Sequence, residues 1–97
     1  MRQVRRSNLQ IYYDILKAIN HESKLGKVKP TRVQNLCHMS YDKFSKYLLD
    51  LERKNMIHNS DIKITPKGNR FLRDYGKINN LIEKFQLKYV VGDDQNT

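Results

Sequence analysis

The residues able to do covalent or metal chemistry are few. Cys37 and His38 are adjacent, with His21 and His58 elsewhere in the chain. A zinc site needs ligands that converge on one point, and neither CxxC nor HxxxH spacing is present. Cys37 falls on the inner face of a short helical pattern, where an inert buried thiol is expected rather than a nucleophile. There is no glycine-rich phosphate loop, no HExxH, and no close carboxylate pair backed by a pocket. Ser, His and Asp residues fall at helix caps and on surfaces. The sequence reads as a non-enzyme that needs no metal and no cofactor.

The basic residues offer a different chemistry. Ser40, Tyr41, Lys43 and Lys46 occupy the first two turns of one helical pattern, whose outer arc holds Asp42, Lys43, Lys46, Leu49, Asp50 and Arg53. Thr31 and Arg32 open the helix before it, where backbone amides commonly face a phosphate. Arg2, Arg5 and Arg6 form an N-terminal arm able to follow a phosphate backbone or enter a minor groove. Lys63 stands beside a hairpin tip. Such cations displace condensed counterions from a polyanion, and a helix about 10–12 Å wide fits the major groove of B-DNA. A charged outer arc alone is only a solvated face. Its weight comes from the net charge and from the elements that position it.

The first helix begins at Ser7, where Ser7-Asn8-Leu9-Gln10 fits a capping box. Leu9, Tyr12, Ile15, Leu16 and Ile19 follow on one face, with Gln10, Asp14, Lys17 and His21 opposite. Residues 23–30 read as a loop with Gly26 and Pro30 as breakers, although Leu25 and Val28 could instead form a short strand. Thr31-Arg32-Val33-Gln34 is a second capping box and predicts a short helix whose apolar residues are Val33, Leu36 and Cys37. His38 and Met39 make a tight turn. Ser40 caps a third helix with Tyr41, Phe44, Leu48 and Leu51 as its core stripe, and Asn55 is a left-handed stop. Met56–His58 and Ile62–Ile64, joined by Asn59-Ser60-Asp61, predict a hairpin. Thr65-Pro66 then starts a long helix. Along it Phe71, Tyr75, Ile78, Ile82, Phe85 and Tyr89 recur at spacings of four and three, a heptad seam. The whole stripe, Phe71, Tyr75, Ile78, Ile82, Phe85 and Tyr89, is expected at a homodimer interface, with its part up to Tyr75 also packing on the first helix.

A short helix, a tight turn and a capped helix followed by a hairpin is the order of a winged helix-turn-helix. The fold expected is therefore mainly α with a small β-hairpin, followed by a long C-terminal dimerisation helix. Its parts are a basic arm at 1–6, the winged helix-turn-helix at 7–68, the coiled-coil helix at 66–89 and a disordered polar tail at 90–97.

Length and charge agree with one such domain. The chain has 97 residues, 38% of them hydrophobic, enough for one small core. Nineteen Lys and Arg against ten Asp and Glu give +9, which points to a polyanionic partner. The charge is uneven. Residues 1–35 carry eight basic and two acidic groups, residues 36–70 seven and four, and residues 71–97 four and four. A basic body thus precedes a neutral C-terminal segment. One cysteine excludes an internal disulfide. Apolar runs are too short to span a bilayer, and no apolar segment follows the basic start as a leader would require. A cytoplasmic, nucleoid-associated location without membrane contact is expected.

The stretch Ile15-Leu16-Lys17-Ala18-Ile19, then Ser40-Tyr41, Tyr47-Leu48 with Leu51, Asn55-Met56-Ile57 and Ile64-Thr65-Pro66-Lys67-Gly68 resembles the small archaeal winged-helix proteins. These are ten-kilodalton, coiled-coil-dimerised, chromatin-type DNA-binding proteins and related predicted transcriptional regulators. The resemblance covers roughly residues 9–89. It implies an antiparallel two-helix rod and a dimer that binds duplex DNA. Two positions depart from the pattern. Asn55 stands where members usually have Gly, and the tip Asn59-Ser60-Asp61 is short and not basic, which argues against wing contact with phosphate.

The DNA-contact residues expected are Arg5, Arg6, Thr31, Arg32, Ser40, Tyr41, Lys43, Lys46 and Lys63. No Asn or Gln pair suits adenine, and lysines replace the arginine favoured for guanine, so sequence preference should be modest. The function expected is double-stranded DNA binding as a dimer, as transcriptional regulator or architectural protein. A protein-interaction module is the alternative, kept open by Asp42, Asp50 and Asp61. RNA binding has no stacking platform to support it.

Overall fold

The structure is a computed structural model, and it describes residues 6–58 and 60–85. The expectations placed on Arg2, Arg5, Asn59, Tyr89 and the tail at 90–97 lie outside the described residues. The order is α1 (Asn8–Ser23), α2 (Pro30–Cys37), α3 (Tyr41–Arg53), β1 (Ile57–His58), β2 (Lys63–Ile64) and α4 (Pro66–Lys84). Among the described residues no helix is long and apolar enough to cross a membrane.

Local chemistry sets most of the boundaries. Ser7 Oγ accepts from the Gln10 amide at 3.1 Å. The Gln10 side chain does not reach back as a capping box requires. It donates to Asp14 at 2.9 Å and accepts from the Tyr75 hydroxyl at 3.3 Å, so a tertiary contact replaces the reciprocal bond. The second helix starts at Pro30 rather than being capped by Thr31. Lys29 is its N-cap and makes no side-chain cap bond. Proline suits the first helical position because its φ is already helical and its missing N–H would be unsatisfied there anyway. Residues 25–28 form no strand, and the sheet among described residues has two strands.

His38 takes a left-handed conformation (φ 55°) and ends α2 with its amide bonded to Asn35 O. Ser40 then caps α3, its Oγ accepting from the Lys43 amide at 3.3 Å. Asn55, at φ 61°, is the left-handed stop the sequence indicates. The hairpin pairs Ile57 with Ile64 and His58 with Lys63. Its second strand begins one residue later than the apolar pattern suggests, because Ile62 is itself left-handed (φ 50°). That conformation is costly for a β-branched residue. Burial of the Ile62 side chain in the core offsets the cost.

Ile11, Ile15, Leu16, Ala18 and Ile19 of α1 form the centre of the core, joined by Val33 and Cys37 from α2, Phe44 and Leu51 from α3, and Ile57 and Ile62 from the hairpin. Tyr41, expected in the stripe of α3, is 63% exposed instead. As the first residue of the helix it lies beyond the reach of α1. The start of α4 packs back on α1 as expected. Phe71 stacks on Tyr75 at 5.4 Å, and Tyr75 meets Tyr13 at 5.3 Å. From there the packing ends: Ile78, Leu81 and Phe85 are exposed and Ile82 is half-buried.

Thr65 joins α3, hairpin and α4 at one point. Its hydroxyl donates to Asn55 O at 2.6 Å and accepts from the Gly68 amide at 3.0 Å, while its own amide donates to Met56 O at 3.0 Å. Gly68 is required by this approach: a Cβ there would collide with Met56 O and lie 2.7 Å from Ile64 Cγ2. Because a backbone carbonyl cannot yield as a side chain can, Gly68→Ala is expected to destabilise the fold by about 2–3 kcal/mol in urea denaturation.

Candidate nucleic-acid interface

The helix-turn-helix is built by fixing one side of α3 and leaving the other free. Phe44 and Leu51 anchor the inner side in the core. Tyr47 packs edge-on against Tyr12 at 5.7 Å and donates to Asn8 Oδ1 at 2.9 Å, which sets the rotation of α3 about its axis. The side chains turned away from α1 are then Asp42, Lys43, Lys46, Leu49 and Arg53, all exposed. None of Lys43, Lys46 and Arg53 forms an ion pair with a described residue. These three cations are therefore free to meet phosphate.

Tyr41 edges a shallow cleft of about 380 Å³ between the start of α3, the loop before α2 and the hairpin. Lys27 and Asp61 line the same cleft. Lys27 and Lys29, with Pro30, flank the start of α2, and neither is among the contacts expected from the sequence. The Lys-x-Lys-Pro run just ahead of a helix was the signal for them.

Other expected contacts are already committed within the fold. Arg6 donates to Asp14 Oδ2 at 2.8 Å and to Cys37 O at 3.1 Å, tying the entry of α1 to the end of α2. Arg32 donates to Glu22 Oε1 at 2.7 Å, and Glu22 is only 4% exposed. Ser40 spends its hydroxyl oxygen as a cap. Lys63 stands 3.7 Å from Asp61 in an exposed pair, which holds it weakly. Thr31 lies exposed in the first turn of α2. There Pro30 has no N–H, and the Arg32 and Val33 amides already bond Lys29 O. Only the Thr31 amide and hydroxyl remain to meet an anion.

The acidic residues near this face are partly accounted for as well. Asp50 accepts from the Tyr12 hydroxyl at 3.4 Å, and burial, with the Asp50 charge beside it, pushes the Tyr12 phenol above its usual range. Asp42 lies in the first turn of α3, where the helix dipole favours it. Cys37 is buried, and desolvation pushes its thiol up to about 11, which suits a core residue and not a nucleophile. Among the described residues no group of His, Cys, Asp and Glu could hold a metal ion.

Arg32 thus serves the fold first. Removing its charge leaves the Glu22 carboxylate buried and unpaired, so Arg32→Gln is expected to cost about 1–3 kcal/mol in urea denaturation, discounted for the exposed guanidinium. The double variant Glu22→Gln/Arg32→Gln should recover part of that loss.

Residues 5–83 match the model of one protein family, described as winged helix-turn-helix. No curated protein and no solved structure matches the chain. The match runs from the residue before Arg6, through the helix-turn-helix and hairpin, and along nearly all of α4. The chain belongs to the winged helix-turn-helix family.

Proposed function

We propose that this winged helix-turn-helix protein binds double-stranded DNA as a homodimer, with α3 in the major groove and with modest sequence preference. The observation that carries this reading is the set of unpaired, outward Lys43, Lys46 and Arg53 on a helix whose inner side is locked by Phe44, Tyr47 and Leu51. Long cations without internal partners keep their charge for phosphate, and a fixed helix presents them in one register. Ser40 and Tyr41 stand at the start of α3, and Thr31 lies exposed in the first turn of α2. Arg6 and Arg32 contribute by holding α1 and α2 in place rather than by reaching DNA themselves. Lys27, Lys29 and Lys63 add charge at the rim.

The dimer is supported by the unpartnered stripe of α4. Ile78, Leu81 and Phe85 are exposed side by side, with Ile82 half-buried beside them, and so much apolar surface on one helix marks an interface. Phe71 and Tyr75 serve the chain's own core, so the seam between copies begins at Ile78. The acidic residues that favoured a protein-interaction module lose force. Asp50 is bonded to Tyr12 and Asp42 sits in the first turn of α3, where the helix dipole favours it, while Asp61 is held only weakly by Lys63. Lysine in place of arginine on α3 fits a chromatin-type protein or a regulator of broad sequence tolerance, acting in the cytoplasm on the nucleoid.

Fluorescence anisotropy of labelled duplexes across a salt series tests this. Binding should weaken steeply with salt, and Lys43→Gln/Lys46→Gln should lower the log–log slope by about 2, near 0.9 for each lost phosphate contact. The variant should still sediment as a dimer. A folded dimer that binds no duplex at low salt would overturn the reading.

A further inference from the structure

The C-terminal segment is neutral as a whole, yet α4 is not neutral on every side. At 3.6 residues per turn, Arg70, Arg73, Lys77 and Lys84 fall within an arc of roughly 60°. All four are exposed. Leu72 and Tyr75, which face α1, lie on the other side of the helix. The ridge therefore points away from the body. From Arg70 to Lys84 it runs about 21 Å at 1.5 Å per residue.

We propose that this ridge is a second phosphate-contact surface for duplex DNA, separate from α3; the proposal rests on the DNA reading above. Three observations carry it. First, the cations are nearly uncompensated. Among the described residues their one ion pair is Arg73 with Asp74, at 3.5 Å between two exposed side chains, and such pairs are weak. Second, Arg73 and Lys77 are four residues apart, a spacing at which like charges repel along a helix. A polyanion relieves that repulsion, and a solvated face does not need it. Third, the length fits. The ridge's length of about 21 Å equals roughly six base-pair steps at about 3.4 Å each, so its four cations can meet phosphates of both strands where they face one side of the duplex.

The ridge also lies apart from the helix-turn-helix. Tyr13 of α1 meets Tyr75 of α4 on one flank, while Glu22 meets Arg32 of α2 on the other. Thus α1 stands between α4 and α2, and the ridge faces outward from α4. Its neighbours Ile78, Leu81 and Phe85 border it along one edge, so pairing of two copies through that stripe leaves the charges at the margin of the rod.

The test compares the full-length protein with Arg70→Gln/Arg73→Gln/Lys77→Gln/Lys84→Gln in the same salt series. The log–log slope should fall by about 3 to 4, while preference among duplex sequences stays unchanged. A control, Arg70→Lys/Arg73→Lys, keeps the charges and must keep the slope. Should that control lose it, the residues act through structure and the proposal is overturned. A wild-type protein that binds duplex with a slope indifferent to the four substitutions would overturn the ridge alone. Failure of the wild type to bind any duplex would overturn the DNA reading and the ridge with it. Co-sedimentation with phosphatidylserine vesicles, lost in the four-fold variant while duplex binding is unchanged, would assign the surface to lipid instead.

Discussion

Burial of one side of α1 is the constraint on which the other elements depend. Ile15, Leu16 and Ile19 are fully buried, and burying each such side chain contributes about 1.5–3 kcal/mol before chain entropy is counted. A single helix cannot cover them. Helix α2 covers one flank through Val33 and Cys37, α3 another through Phe44 and Leu51, and the hairpin with the start of α4 completes the enclosure. The outward side of α3 is free because its inner side is needed here. The exposed charges and the buried core are two consequences of one amphipathic helix.

The cations divide by their partners, and the division bears on function. Arg6 and Arg32 are bound to carboxylates of α1, so their charge is largely spent in joining helices. Both are arginines, whose forked donors suit such a task. The free cations of α3 include two lysines, compact point charges on flexible stems, which suit phosphate better than base edges. On the proposed reading, such an arrangement would gain affinity for a polyanion from charge and lose it with salt.

Much of this was legible because it is local. The caps at Ser7, Ser40 and Thr65 and the left-handed Asn55 each depend on neighbours within a few residues, and the structure has all four. The cap of α2 lies at Lys29, two residues before the Thr31 that the capping-box pattern indicates, because Pro30 acts as the first helical residue and not only as a breaker. Tyr41 was expected inside from spacing alone, which ignores that a helix's first residue can overhang its partner. The commitment of Arg6 to Asp14 and of Arg32 to Glu22 was not legible, since each pair closes only when helices dock. The ridge of α4 was hidden by averaging: Asp93 and Asp94 in the tail cancelled charges that stand together on one side of the helix. Of the expected contacts, only Tyr41, Lys43 and Lys46 stand together and unpaired on α3.

The most direct measurement is a heteronuclear NMR titration of the labelled protein with a short duplex. If α3 lies in the groove, amides of residues 40–49 shift strongly while those of Ile15, Leu16 and Ile19 stay in place. Shifts confined to other elements, with α3 unmoved at saturating DNA, would contradict the assignment of α3 as the DNA-facing helix.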